Sequence, residues 1–296
     1  MKKIIIVAIF SFFTAILSAQ VSKEYANEFN SWKKKRIEDL KAPHGWINLV
    51  GLYWLQFGIN TFGRDTSNDI IFPKDFPLVK GGVFNLHNGI VSIRTPSDQI
   101  KLFKNKQETK DTILFNTKYP KDYVESRFSN FSWSIIQRQE KFGVRLRNFE
   151  LKKLIDFHDI PSFPLDSNWI FPATFVPAEQ DDIYGFENKI GQSFQNKAVG
   201  SLEFIIHEKK YSLEIMSKSS DGYFIVFGDM TSGEESYPAG RFLSVKNVDA
   251  NNQTFIDFNK AINPPCAFSD FATCPLPPDK NILPIRIDAG EKNIHL

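Results

Sequence analysis

Short apolar and aromatic runs separated by turn residues fill this chain from Trp46 to Ile287, and only one stretch ahead of them carries a helical period. Such punctuation is the signature of strands in an all-β fold. Strands are predicted at Trp46–Leu55, Ile70–Phe72, Val83–Leu86, Ile90–Ile93, Phe131–Arg138 and Phe142–Arg147, then at Ser201–His207, Tyr211–Met216, Tyr223–Gly228, Phe242–Lys246, Thr254–Phe258 and Ile282–Ile287. The 29 phenylalanines suit this reading, because flat rings pack well on a half-buried pleated surface. The best-specified element is Phe84–Ile93, where Asn88-Gly89 can take the positive φ angles of a type I′ turn. Leu86 then faces Val91 and Phe84 faces Ile93, setting four apolar side chains on one face of a hairpin.

The helical stretch lies at 21–42. Val21, Tyr25, Phe29, Trp32 and Leu40 recur at spacings of three and four with one polar gap before Leu40, the basic run Lys33–Arg36 falls in that gap, and Pro43 stops the helix. Asp156–Glu187 carries Pro161, Pro164, Pro172 and Pro177 and reads as an irregular connection between two halves. The expected architecture is therefore two β-sandwich or barrel-like units, at 43–155 and 156–296, preceded by one amphipathic helix.

At the start of the chain, Lys2 and Lys3 precede an apolar run from Ile4 to Leu17, with Ser18-Ala19-Gln20 after it. This pattern predicts a cleavable signal peptide over 1–19, too short to span a bilayer, and a soluble product in the periplasm or outside the cell with no transmembrane segment after cleavage. Loss of the two lysines takes the formal charge from +2 to zero, which excludes an electrostatic case for nucleic acid. Cys266 and Cys274 are the two cysteines. They can close a short disulfide after export, rest as buried thiols, or form a reactive or metal-binding pair. No zinc site is expected, because the five histidines are scattered.

No established catalytic motif survives inspection. His207-Glu208-Lys209-Lys210-Tyr211 has a tyrosine where a zinc-protease helix needs its second histidine, and Ser31-Trp32-Lys33-Lys34 sits on the helix without the motifs that accompany such a serine. No nucleophile elbow, phosphate loop or dinucleotide fingerprint occurs, so no cofactor is expected. The last third does concentrate polar groups at predicted strand ends. Asp229, Thr231, Tyr237 and Arg241 follow one strand; Asp257, Asn259 and Asn263 follow another. Loops carried by a rigid sheet can bring such groups onto a ligand.

Gly45–Leu55, Gly58–Gly63, Asp229–Leu243, Asp257–Phe268, Cys274–Pro278 and Ala289–Lys292 resemble a bacterial family known only as domain of unknown function number 1684. The resemblance runs along the mature chain and implies no assigned site residues. Separately, Phe62–Pro73 is similar to the opening of forkhead-associated domains, β-sandwiches that read phosphothreonine, with Gly63-Arg64 as the opening pair. Where that family has a serine followed by a histidine, this chain has Lys80-Gly81-Gly82-Val83-Phe84, so the resemblance implies a fold for 43–155 and not the ligand. The leading expectation is a protein that binds a small molecule or a protein partner through Asp229, Thr231, Tyr237, Arg241, Asp257, Asn259 and Asn263. The alternative is an exported hydrolase with Asp229 or Asp257 as general base and Arg241 or the Asn263 amide stabilising developing negative charge.

Overall fold

The computed structural model describes residues 21–96, 98–179, 182–188 and 191–294, so the expected signal peptide lies outside the described residues. Helix α1 spans Lys23–Lys41. The Ser22 hydroxyl caps it by accepting from the Tyr25 amide at 3.2 Å, and the chain leaves the helix at Ala42, just before Pro43.

Eleven strands follow: β1 (Leu49–Trp54), β2 (Gly58–Gly63), β3 (Ile70–Ile71), β4 (Gly82–His87), β5 (Ile90–Arg94), β6 (Lys101–Lys104), β7 (Gln107–Thr109), β8 (Ile113–Asn116), β9 (Val124–Phe128), β10 (Phe131–Arg138) and β11 (Lys141–Asn148). They form a six-stranded sheet in the order β1-β11-β10-β9-β6-β7 and a five-stranded sheet in the order β3-β2-β4-β5-β8. Phe62 and Phe84 from the second sheet bury with Trp133, Val144 and Leu146 from the first in one apolar core. The stacked rings of Phe62 and Phe84 lie 4.4 Å apart. The β4–β5 hairpin has the expected register, Leu86 opposite Val91 and Phe84 opposite Ile93, with Asn88 at φ 49° and Gly89 at φ 74°.

After a short helix, α2 (Lys152–Asp156), the chain continues as β12 (Ile170–Pro177), β13 (Ile183–Glu187), β14 (Ser193–Lys197), β15 (Gly200–Ile206), β16 (Lys209–Glu214), β17 (Ser217–Lys218), β18 (Tyr223–Phe227), β19 (Arg241–Val245) and β20 (Gln253–Asp257). A four-stranded sheet, β16-β15-β12-β20, shares an apolar core with the three-stranded sheet β17-β18-β19, while β13 and β14 form a separate hairpin. The protein is all-β apart from its helical segments, α1 being the long one at the N-terminal side.

Two expectations are corrected. The connection Asp156–Glu187 holds strands β12 and β13. Pro172 comes before Ala173, the first β12 residue that β15 pairs, and Pro177 ends the strand, positions where a missing N–H is tolerated. Conversely, Ile282–Ile287 is not a strand. Pro284 interrupts it, and its backbone makes one isolated bridge, Gly228 with Ile282. The backbone groups of Ile287 are satisfied by side chains instead.

Candidate functional site

The polar residues of the last third fall into distinct groupings. Asp229, Thr231 and Arg241 come together in the loop that joins β18 to β19. Arg241, opposite Phe227 at the start of β19, is fully buried, and its Nη2 reaches Asp229 Oδ1 at 3.0 Å. The other Asp229 oxygen accepts from the Ile287 amide at 2.7 Å, and the Thr231 hydroxyl donates to the carboxylate at 3.0 Å. Ser236 Oγ lies 2.8 Å from Thr231 Oγ1. Arg241 also donates to the carbonyls of Ile287 and Ala289, and its guanidinium carbon lies 5.2 Å from the Phe227 ring centroid. Burial pushes the Arg241 guanidinium below its ordinary range, and the Asp229 charge opposes that. A buried charge with this many partners ties the tail of the chain to the β18–β19 hairpin.

Asn263 belongs to a second grouping. Its amide donates to Glu291 Oε2 at 2.6 Å, its side chain donates to the Lys292 carbonyl at 2.7 Å, and its own carbonyl accepts from Arg36 of α1 at 2.9 Å. Burial raises the Glu291 carboxyl against the pull of Arg36. Asp257 and Asn259 form a third. Tyr25 of α1 donates to Asp257 Oδ2 at 2.7 Å, and Asn259 donates to the Asp166 carbonyl at 2.8 Å. Tyr237 donates to the Cys266 carbonyl at 3.0 Å, and the Cys266 amide donates to Cys274 Sγ at 3.1 Å, with both cysteines buried. Among the described residues no group of three or more His, Cys, Asp or Glu is arranged to hold a metal ion.

A different constellation lies on the first sheet. Alternation along β10 and β11 sends Trp133, Ile135, Val144 and Leu146 into the core, and it sends Ser134, Ile136, Arg138, Arg145 and Arg147 to the opposite face. That face is covered. The segment before β1 folds across it, so that Arg147 donates to the Gly45 carbonyl and to Asn48 Oδ1 at 2.7 Å, and Arg145 lies over the Trp46 ring. A register shift between Leu49 and Gly51 in the β1–β11 pair sits beside this crossing, as bulges near sites often do. From the far end of the sequence, Thr273 accepts from Arg138 Nε at 3.2 Å.

Between these elements is a cavity of about 630 Å³ whose lining includes all three arginines, Trp46, Phe115 and Tyr123 and, among the described residues, no carboxylate. Arg145 and Arg147 are 9% and 6% exposed. Nε and Nη2 of Arg145 are buried with no hydrogen-bond partner. Burial first, then repulsion by Arg138 and Arg147, pushes Arg145 down to about 10; burial does the same to Arg147, against the pull of Glu125. Glu125 is itself engaged by Arg127 at 3.0 Å. Concentrated positive charge around a cavity favours a negatively charged occupant. Sequence reasoning missed it, because arginines alternating with Val144 and Leu146 look like the wet face of a strand.

A search of curated proteins finds no match to the chain. The solution NMR structure of an uncharacterized protein from Haloarcula marismortui is similar at 27% identity, covering 47% of this chain and 78% of that one, with a TM-score of 0.39. The family resemblance, expected along the mature chain, is matched over residues 155–292, where the sequence fits the family model described as Protein of unknown function (DUF1684).

Proposed function

We propose that this is an exported binding protein for a small anionic ligand, held by Arg138, Arg145 and Arg147 on the covered face of the first sheet. The observation that carries the reading is Arg145: a residue nine-tenths buried, its Nε and Nη2 unpartnered among the described residues, beside a cavity that no described carboxylate lines. An unpaired buried charge costs several kcal/mol, and a fold retains one where a ligand neutralises it. In this reading the loops of the last third serve the site as its frame. The Asp229–Arg241 cluster locks the tail, and the segment Cys266–Cys274 presents Thr273 to Arg138.

The test is isothermal titration calorimetry of the mature chain and of Arg145→Gln against matched panels of carboxylates, phosphates, sulfates, neutral sugars and amines. At least one anion is expected to bind, with affinity lowered about tenfold or more in the variant, as for loss of a charged hydrogen-bonding partner. Equal binding of neutral compounds, or an unaffected variant, sinks the reading.

A further inference from the structure

We infer that the anionic head of the ligand is a phosphate monoester carried on a small, partly apolar body; this rests on the anion-binding reading above. The first ground is charge. Three arginines line one cavity, no carboxylate among the described residues lines it, and the neighbouring acid, Glu125, is paired with Arg127. A monoanion leaves two of those charges uncompensated in a desolvated place, whereas a dianion leaves one.

The second ground is the arrangement of the three guanidiniums. Nε and Nη2 of Arg145 are themselves sealed from the cavity, so Arg145 acts on a ligand chiefly through its charge. A carboxylate offers two oxygens in one plane to the three guanidiniums that line the cavity. A phosphate monoester has a third terminal oxygen, tetrahedrally displaced, for Arg138 and Arg147. Those two are partly committed, Arg147 Nη1 to Gly45 and Asn48 and Arg138 Nε to Thr273, so each arrives pre-positioned with donors to spare.

The third ground is size. A cavity of about 630 Å³ is several times a phosphate group and falls within the usual range of small-molecule sites. Its remaining walls mix the rings of Trp46, Phe115 and Tyr123 with Ser134, Gln137 and Gln139, which suits a small body that is partly apolar.

The experiment titrates phenyl phosphate, phenyl sulfate and benzoate into the full mature chain between pH 5 and 8. The sulfate ester keeps the tetrahedral head but carries one charge throughout. Phenyl phosphate is expected to bind about tenfold or more tightly than either analogue at pH 7.5. That advantage should fall about tenfold per pH unit below the second phosphate pKa of about 6. His44 and Tyr123 line the cavity with the three arginines, and the same titrations on His44→Gln separate the ligand's own proton from any change in the charge of the site. Arg145→Gln removes one of the three positive charges that line the cavity. It should remain folded by circular dichroism and lose about tenfold of the preference for phenyl phosphate. Equal, pH-independent binding of the three probes overturns the phosphate assignment and leaves the anion reading standing. Binding of none of them, with simple phosphates and sulfates also inert, overturns both. Much tighter binding of a phosphopeptide than of phenyl phosphate overturns the small-ligand assignment.

Discussion

The guanidinium carbon of Arg145 lies 5.1 Å from the centroid of the Trp46 ring, so a charge on strand β11 is stacked on a residue of the segment that roofs it. A cation–π contact of this kind recovers about 0.5–2 kcal/mol of what burial costs the charge, which is less than the whole. The contact therefore orients the Arg145 guanidinium without neutralising it.

Replacing the charge by an apolar chain of similar length should expose that imbalance. Arg145 is pushed down to about 10, so the folded state is penalised for the charge at every pH below that value, and the penalty is relieved only as pH rises from about 10 toward the unfolded value. Arg145→Met is expected to stabilise the unliganded protein by about 1–3 kcal/mol, by an amount constant between pH 6 and 9, while abolishing anion binding. Urea denaturation at several pH values measures it. A variant less stable than the parent would show that Arg145 is a structural residue.

The Asp229–Arg241 pair should behave in the opposite way. Both side chains are fully buried, and removing one leaves the other uncompensated. Asp229→Ala is expected to cost about 3–5 kcal/mol, and adding Arg241→Met should recover much of that loss, because a well-packed apolar pair avoids the desolvation penalty. Chemical denaturation reads both. If the double variant stays folded, anion affinity should be unchanged, since neither residue lines the arginine cavity.

What could be read from the residues was local. Asn88-Gly89 between alternating apolar positions specified the hairpin and its register, and the spacing from Tyr25 to Leu40 specified α1. Strand β12 was hidden by Pro172 and Pro177, since proline signals a loop unless its neighbours' pairing is known. Ile282–Ile287 misled in the other direction, because its apolar residues pack into the second core while side chains, and not a neighbouring strand, satisfy the Ile287 backbone. The arginine cavity was illegible for a related reason. Whether the polar face of β10 and β11 is wet or covered depends on Gly45, Trp46 and Asn48, about a hundred residues away, and on Thr273 far beyond.

The hairpin turn gives a backbone prediction. Gly89 has φ 74°, and a Cβ added there would come within 2.8 Å of Thr117 Oγ1. Gly89→Ala combines left-handed strain with a contact that Thr117, hydrogen-bonded to the Gly89 carbonyl at 3.0 Å, cannot easily relieve. A loss of about 1–2 kcal/mol is expected, and Asn88→Gly should be nearly neutral, because glycine adopts the same φ without cost. Thermal unfolding of the two variants side by side separates turn strain from general sensitivity of the hairpin.

The docking of α1 turns on one phenol. Tyr25 donates to Asp257 Oδ2 at 2.7 Å near the start of the helix, whereas Arg36 and Leu40 hold its other end through Glu291 and an apolar cluster. Burial, then Asp257, raises the Tyr25 hydroxyl far above its ordinary value, so it stays protonated in the fold at pH values where the unfolded chain has lost its proton. A raised group contributes stability that is present below the unfolded pKa of about 10 and lost as pH rises beyond it. Tyr25→Phe should cost about 1 kcal/mol at pH 7, the worth of one hydrogen bond to a charged acceptor, and should blunt the parent's decline above pH 10. Hydrogen exchange gives the decisive readout. Amides in the first turns of α1 should exchange several-fold faster in Tyr25→Phe while those near Leu40 keep their protection, because the two ends are anchored to different partners. Equal acceleration along the whole helix would mean that α1 docks as one rigid unit and that Tyr25 is no more than one of several interchangeable ties.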